Sequence, residues 1–258
     1  MKKYTLTLIL ALVSLGLYAQ TNRNKTIINA ALHGWEYEIK AGVNLGGTAP
    51  LPFPEEIRSI DGYNPTLSIT IEGNMTKWLD SKKKWGIITG LRLENKGMRT
   101  KATVKNYNME IIGYDGNRLK GNWTGGVRTK VQNSYITIPV LAAYKLNPRT
   151  TLKLGPYFSY LMDGDFSGHV YEGYLRETNP TVDKINFTNG AIATYDFSGD
   201  LRKFQWGVQA GVDWKAFKHL KVHADLNWGL NDIFNKDFKT VTFDMYAIYL
   251  NVGFGYAF

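Results

Sequence analysis

From Tyr37 to Gly46 the chain alternates without a break: Tyr37, Ile39, Ala41, Val43 and Leu45 are apolar, and Glu38, Lys40, Gly42, Asn44 and Gly46 are polar or small. A period of two sends successive side chains to opposite faces of an extended strand and is incompatible with an amphipathic helix. The period returns with Leu67, Ile69, Ile71 and Met75, with Trp85, Ile87, Leu91 and Leu93, with Ile136, Ile138, Val140, Ala142 and Tyr144, and with Leu152, Leu154, Phe158 and Tyr160. It returns again with Phe204, Trp206, Val208, Ala210, Val212 and Trp214, with Val222, Ala224, Leu226, Trp228 and Leu230, and last from about Thr242 to Phe258. Eight two-faced strands are therefore predicted.

The connections alternate in length. Polar stretches near 47–63, 98–133, 164–200 and 232–240 are expected as long loops, and those near 80–84, 147–150 and 216–219 as tight turns, Asn147-Pro148-Arg149-Thr150 being the most compact. After the first twenty residues no run approaches the ~20 apolar residues that a membrane helix needs, so a membrane location would have to be reached with strands, and only a closed barrel satisfies its backbone there. Short turns on one side and long loops on the other are the mark of a bacterial outer-membrane barrel. The expected fold is an all-β, eight-stranded antiparallel transmembrane barrel spanning residues 35–258.

A soluble, lipocalin-like barrel would also alternate, but with its apolar face inside. The glycines argue against it. Gly86, Gly90, Gly155, Gly207, Gly211, Gly229, Gly253 and Gly255 share a face with Lys40, Glu72, Arg92, Glu94, Asp213 and Asp225. A solvated face does not require such small residues, whereas the narrow lumen of an eight-strand barrel does. The six charged side chains are thus expected to point inward and pair, because an unpaired charge there costs several kcal/mol. Trp85, Trp206, Trp214, Trp228 and Tyr256 fall on the apolar face near strand ends, where aromatic girdles lie.

The ends agree. Lys2 and Lys3, an apolar run from Leu6 to Leu17 and Tyr18-Ala19-Gln20 predict a cleavable signal over 1–19, followed by a periplasmic segment over 20–34 and delivery to the outer membrane. The closing aromatic strand, ending on Phe258, resembles the signal by which the barrel-assembly machinery recognises such proteins for insertion. Cysteine is absent, which excludes disulfides and thiolate chemistry. The formal charge of +9 favours acidic partners, and for an exported chain lipid phosphates fit better than nucleic acid.

Three segments carry a family resemblance: Gly90-Leu91-Arg92-Leu93-Glu94-Asn95-Lys96-Gly97, Ile138-Pro139-Val140-Leu141-Ala142-Ala143-Tyr144 and Gly155-Pro156-Tyr157-Phe158-Ser159-Tyr160-Leu161. Together with Gly229-Leu230-Asn231-Asp232-Ile233 and Gly253-Phe254-Gly255-Tyr256 they resemble the PorT-type outer-membrane β-barrel family. Thr137 and Ala143 stand where such proteins often place a glutamate and a lysine. The resemblance implies the fold, and as an alternative function a component assisting protein secretion; a narrow small-solute conduit is the other alternative.

One polar stretch concentrates charge. Arg99, Lys101, Lys105, Arg118, Lys120, Arg128 and Lys130 face only Glu110 and Asp115 between 98 and 133, a pattern suited to the phosphates of lipopolysaccharide. Alternatively these cations pair with Asp165, Glu172, Glu177 or Asp183 of the next stretch. The segment Asp163-Gly164-Asp165-Phe166-Ser167-Gly168-His169 holds carboxylate, hydroxyl and imidazole, yet matches neither a nucleophile motif nor a full calcium loop. No catalytic residue, metal or cofactor is expected, and the predicted role is a structural or interaction protein at the cell surface with a plugged lumen.

Overall fold

A computed structural model describes residues 35–113, 116–176 and 184–258. The expected signal (1–19) and periplasmic segment (20–34) lie outside the described residues. The strands are β1 (Trp35–Pro50), β2 (Ile57–Pro65), β3 (Ile69–Trp78), β4 (Trp85–Ile112), β5 (Arg118–Lys145), β6 (Thr150–Arg176), β7 (Ile185–Asp196), β8 (Phe204–Lys215), β9 (Leu220–Gly229) and β10 (Met245–Ala257).

Eight of them close a ring, in the order β4, β3, β1, β10, β9, β8, β6, β5 and back to β4. The first and last strands zip the ring shut from Glu38↔Ala257 to Pro50↔Met245. Every expected strand segment falls in this ring, and the turns at 79–84, 146–149 and 216–219 are as short as their sequences predicted. The sheet as a whole is larger than expected, because β2 pairs with the far half of β4 and β7 bridges β6 and β4.

Three of the four stretches expected as long loops are therefore corrected, whereas 232–240 does lie in the connection between β9 and β10. Residues 98–133 are mostly the distal halves of β4 and β5, which pair from Met98↔Val131 through Ile112↔Arg118. Residues 164–200 are largely the distal half of β6 and β7, and 47–63 contains the end of β1 and most of β2. The alternation does not stop where the sequence turns polar; it changes sign. In the proximal part of β4 the inward residues are Arg92, Glu94 and Lys96 and the outward ones Leu91 and Leu93; farther along, Met98, Val104, Met109 and Ile111 are buried while Arg99, Lys101 and Lys105 are exposed.

The sign changes at one level on neighbouring strands. Ile71, Leu93, Ile136, Tyr160 and Phe204 form a continuous outward row across β3, β4, β5, β6 and β8. The next outward row, Asn95, Ser134 and Asp163, is polar. Beyond it the distal strands fold like a water-soluble β structure, around a core that includes Trp123, Val131, Phe166, Val170, Phe187 and Phe234. Burial of these side chains offers about 1.5–3 kcal/mol each, which is what allows the strands to continue so far past the ring.

Candidate functional site

The inward face of the ring is a charge network. Lys40 Nζ lies 3.0 Å from Asp213 Oδ1, and Lys153 Nζ lies 2.6 Å from the same oxygen and 3.0 Å from Asp225 Oδ2. Arg92 pairs with Glu72, donates to Gln209 Oε1 at 2.8 Å and Asn227 Oδ1 at 3.2 Å, and comes within 4.0 Å of Glu94. Glu94 also accepts from Lys96 at 3.0 Å and Thr137 at 2.7 Å, and Lys221 reaches Glu38 at 2.9 Å. All six charged residues expected inside are there and buried. Lys153, Lys96, Glu38 and Lys221 belong with them, and their inward parity was the available signal.

Five cations (Lys40, Arg92, Lys96, Lys153, Lys221) thus face five carboxylates (Glu38, Glu72, Glu94, Asp213, Asp225). Two inward glycines make the room: a Cβ at Gly211 would collide with the Asp225 carboxylate, and one at Gly255 with that of Glu38. At the far end Lys96 Nζ sits 5.3 Å from the rings of Tyr135 and Tyr157 and 5.8 Å from that of Tyr249. This cation–π cage joins the polar lumen to the apolar distal core. Thr137, replacing an expected glutamate, hydrogen-bonds Glu94 and Ser159, and Ala143 is fully buried.

On the outer surface Trp85, Trp214 and Tyr256 lie near the short-turn end and Trp206 and Trp228 near the opposite end, all between 42% and 53% exposed. Trp206 and Trp214 are eight residues apart on β8, about 27 Å along the strand and about 21 Å in height at a tilt of roughly 40°, so both fall within the ~25 Å apolar band and girdles of an outer-membrane barrel. Phe258 is exposed, its N–H bonded to the Tyr37 carbonyl at 3.0 Å.

The basic residues lie on strands rather than a loop, and the ladder sets four of them together. Arg99 pairs with Lys130 and Lys101 with Arg128 across β4 and β5. Lys130 forms an ion pair with Asp165, and Arg128 lies 5.2 Å over the ring of Tyr171; Arg99 and Lys101 have no ion pair among the described residues. Arg118 pairs with Glu110 at 3.0 Å near the hairpin tip, far along the strands from the quartet. Lys105 and Lys120 are exposed and stand apart from it. Of the acids expected to neutralise these cations, Asp165 pairs with Lys130, Glu172 has no ion pair among the described residues, and Glu177 and Asp183 lie outside the described residues.

Asp165 and His169 follow on the same face of β6. Burial pushes the Asp165 carboxyl up, but hydrogen bonds from Lys130 and Ser167 outweigh this and hold it below the usual carboxylate range. Partial burial and the Arg128 guanidinium hold the His169 imidazole below its ordinary 6.5. Two cavities flank the quartet. One, about 920 Å³, is a cleft lined by the four cations and His169 against Asp61 and Asp196. The other, about 450 Å³, lies between β1, β2, β4 and β10 and is lined by apolar side chains, threonines and the tyrosines Tyr63, Tyr107 and Tyr195.

A family model described as outer membrane protein beta-barrel domain matches residues 18–235. Similar solved structures include Ail, the attachment invasion locus protein of Yersinia pestis, at 12% identity and a TM-score of 0.36, over 87% of this chain and 97% of that one. Others are Neisserial surface protein A, at 9% identity and 0.30 over 87% and 97%, and the outer membrane protease OmpT of Escherichia coli, at 13% and 0.34 over 88% and 97%. The curated proteins contain no match. Identities and scores this low leave the reading to the family match and to the chain's own geometry.

Proposed function

Because the chain belongs to the outer membrane protein β-barrel domain family and is therefore an outer-membrane barrel, we propose that it is a non-enzymatic surface component whose cation quartet holds lipopolysaccharide. One observation carries this reading. Arg99 opposes Lys130 and Lys101 opposes Arg128 on adjacent strands, and like charges placed directly opposite each other destabilise a sheet. An anion lying across the four relieves that repulsion, and phosphate is the anion that arginine and lysine donors grip best. The lumen, in this reading, is structural: filled by paired charges and closed by the Lys96 cage, it conducts nothing.

The test replaces Arg99, Lys101, Arg128 and Lys130 by Ser. Lipopolysaccharide association should fall and its dependence on salt should flatten, with the barrel still folded. Unchanged association at low ionic strength would reduce the quartet to ordinary solvated surface. Planar-bilayer recordings of the native chain should show no steady open state, and porin-sized steps would replace the plugged reading with a conduit.

A secretion role is the second reading, and it has an observation of its own. The three segments that resemble PorT-type proteins lie side by side on β4, β5 and β6, with Ile138 opposite Phe158 and Ala142 opposite Leu154. Loss of the protein should then block export of other proteins, whereas intact export with weakened lipopolysaccharide contact would favour the first reading.

A further inference from the structure

The 450 Å³ cavity marks where the ring wall is incomplete. Beyond Asn44, whose N–H bonds the Ser68 carbonyl at 2.8 Å, β3 no longer runs beside β1, and the Thr48 N–H turns to Met98 Sδ at 3.3 Å. β2 roofs the opening through its ladder with β4, and the Tyr63 hydroxyl ties β2 to β1 by donating to the Gly46 carbonyl at 2.7 Å. Behind this roof the cavity is walled by Ala102, Val104, Met109, Val127 and Phe243, with no charged residue in its lining. Its volume is in the range of sites that take small organic ligands.

Two features say what kind of ligand would fit. The cavity begins at Met98, directly past the level where the outward face turns from apolar to polar, so it lies beside the surface of the lipid layer. It also shares Tyr63, Thr100, Thr129 and Tyr195 in its walls with the cleft that carries Arg99, Lys101, Arg128 and Lys130. The cations and the cavity take opposite faces of the β4–β5 ladder, so one molecule would join them by way of the gap between β1 and β2 that the Tyr63 hydroxyl bridges, and a hydrocarbon tail with an anionic head is the chemistry complementary to both. We propose that this chain binds a single-chain anionic amphiphile, with the acyl chain in the cavity under β2 and the carboxylate or phosphate among the quartet. The proposal rests on the anion-binding reading of the quartet and adds the chemical class of the ligand.

The experiment uses the full chain in nanodiscs of zwitterionic phosphatidylcholine. Retention of labelled tetradecanoate, of tetradecanoyl lysophosphatidate and of the neutral tetradecanoyl glycerol is compared, so that carboxylate and phosphate sources are separated. One of the two anionic probes should be retained at one molecule per chain and the neutral one more weakly. Ala102→Phe, which directs a ring into the cavity, should lower that retention about ten-fold, as expected when a few methylenes lose their burial. Arg99→Ser with Lys101→Ser should bring the anionic probes down to the level of the neutral one. Heat-modifiable migration reports folding for each variant, and Val127→Phe serves if Ala102→Phe does not fold. Retention unaffected by a ring in the cavity overturns the proposal, as does equal retention of all three probes by the native chain. Lipopolysaccharide association is read in parallel: if Ala102→Phe leaves it intact while the probes are not retained even by the native chain, the cavity proposal fails and the surface reading stands.

Discussion

Arg92 is the most heavily committed side chain in the lumen, with its guanidinium shared among Glu72, Glu94, Gln209 and Asn227. Arg92→Met should destabilise the barrel by about 3–5 kcal/mol in urea unfolding, because Glu72 stays buried without its cation while Glu94 keeps Lys96. Arg92→Lys should recover only part of this, since a point charge cannot span four acceptors as the planar fork does. His169 offers a second reading at the same scale. Its titration midpoint, followed by NMR, should fall below 6.5 and rise in Arg128→Ser without reaching the free value, because burial remains. The sign follows: the folded state binds fewer protons than the unfolded chain near that pH, so the stability His169 contributes is present above 6.5 and is lost as pH falls through the lower folded midpoint. Alternation made six lumen charges legible in the sequence. Lys153 was equally legible between Leu152 and Leu154, but Lys96 sits at the level where the pattern reverses, and its tyrosine cage comes from three strands distant in sequence.

At the scale of elements, the distal halves of β4, β5 and β6 form a unit of their own solvent type. Trp123 is fully buried there and meets Phe187 edge-on at 5.3 Å. Trp123→Ala should cost about 3–5 kcal/mol locally, seen as protease cleavage within the distal strands while heat-modifiable migration of the ring persists. Cleavage unchanged from the native pattern would mean that the ring alone holds these strands. This extension was hidden in the sequence for an identifiable reason. A register shift between Val104 and Tyr107, with Asn106 at φ 57°, moves the inward positions from even to odd numbers. A second shift, opposite Gly125 and Gly126, places the extra residue in β6, where Glu172 has φ 49°. Each bulge breaks the period of two that the eye follows. Read without those breaks, seven cations between 98 and 133 resemble a solvated loop.

The whole molecule should fractionate with outer membranes and migrate faster unheated than boiled, and recovery as a soluble periplasmic protein would contradict the barrel. It is also a molecule with a waterline drawn on it. The line runs between Leu93 and Asn95 on β4 and between Ile136 and Ser134 on β5, and side-chain chemistry reverses on both faces as it is crossed. Sliding the barrel outward by one strand pair would wet the row from Ile71 to Phe204, and sliding it inward would drown Asn95, Ser134 and Asp163 in hydrocarbon. Depth is thereby fixed, and with it the altitude of everything above. Arg99 stands four residues beyond Asn95, about 13 Å along a strand and about 10 Å in height at a tilt near 40°. The waterline is a ruler: two residues added to each of β4 and β5 between line and quartet would lift the cations by about 5 Å without changing their number.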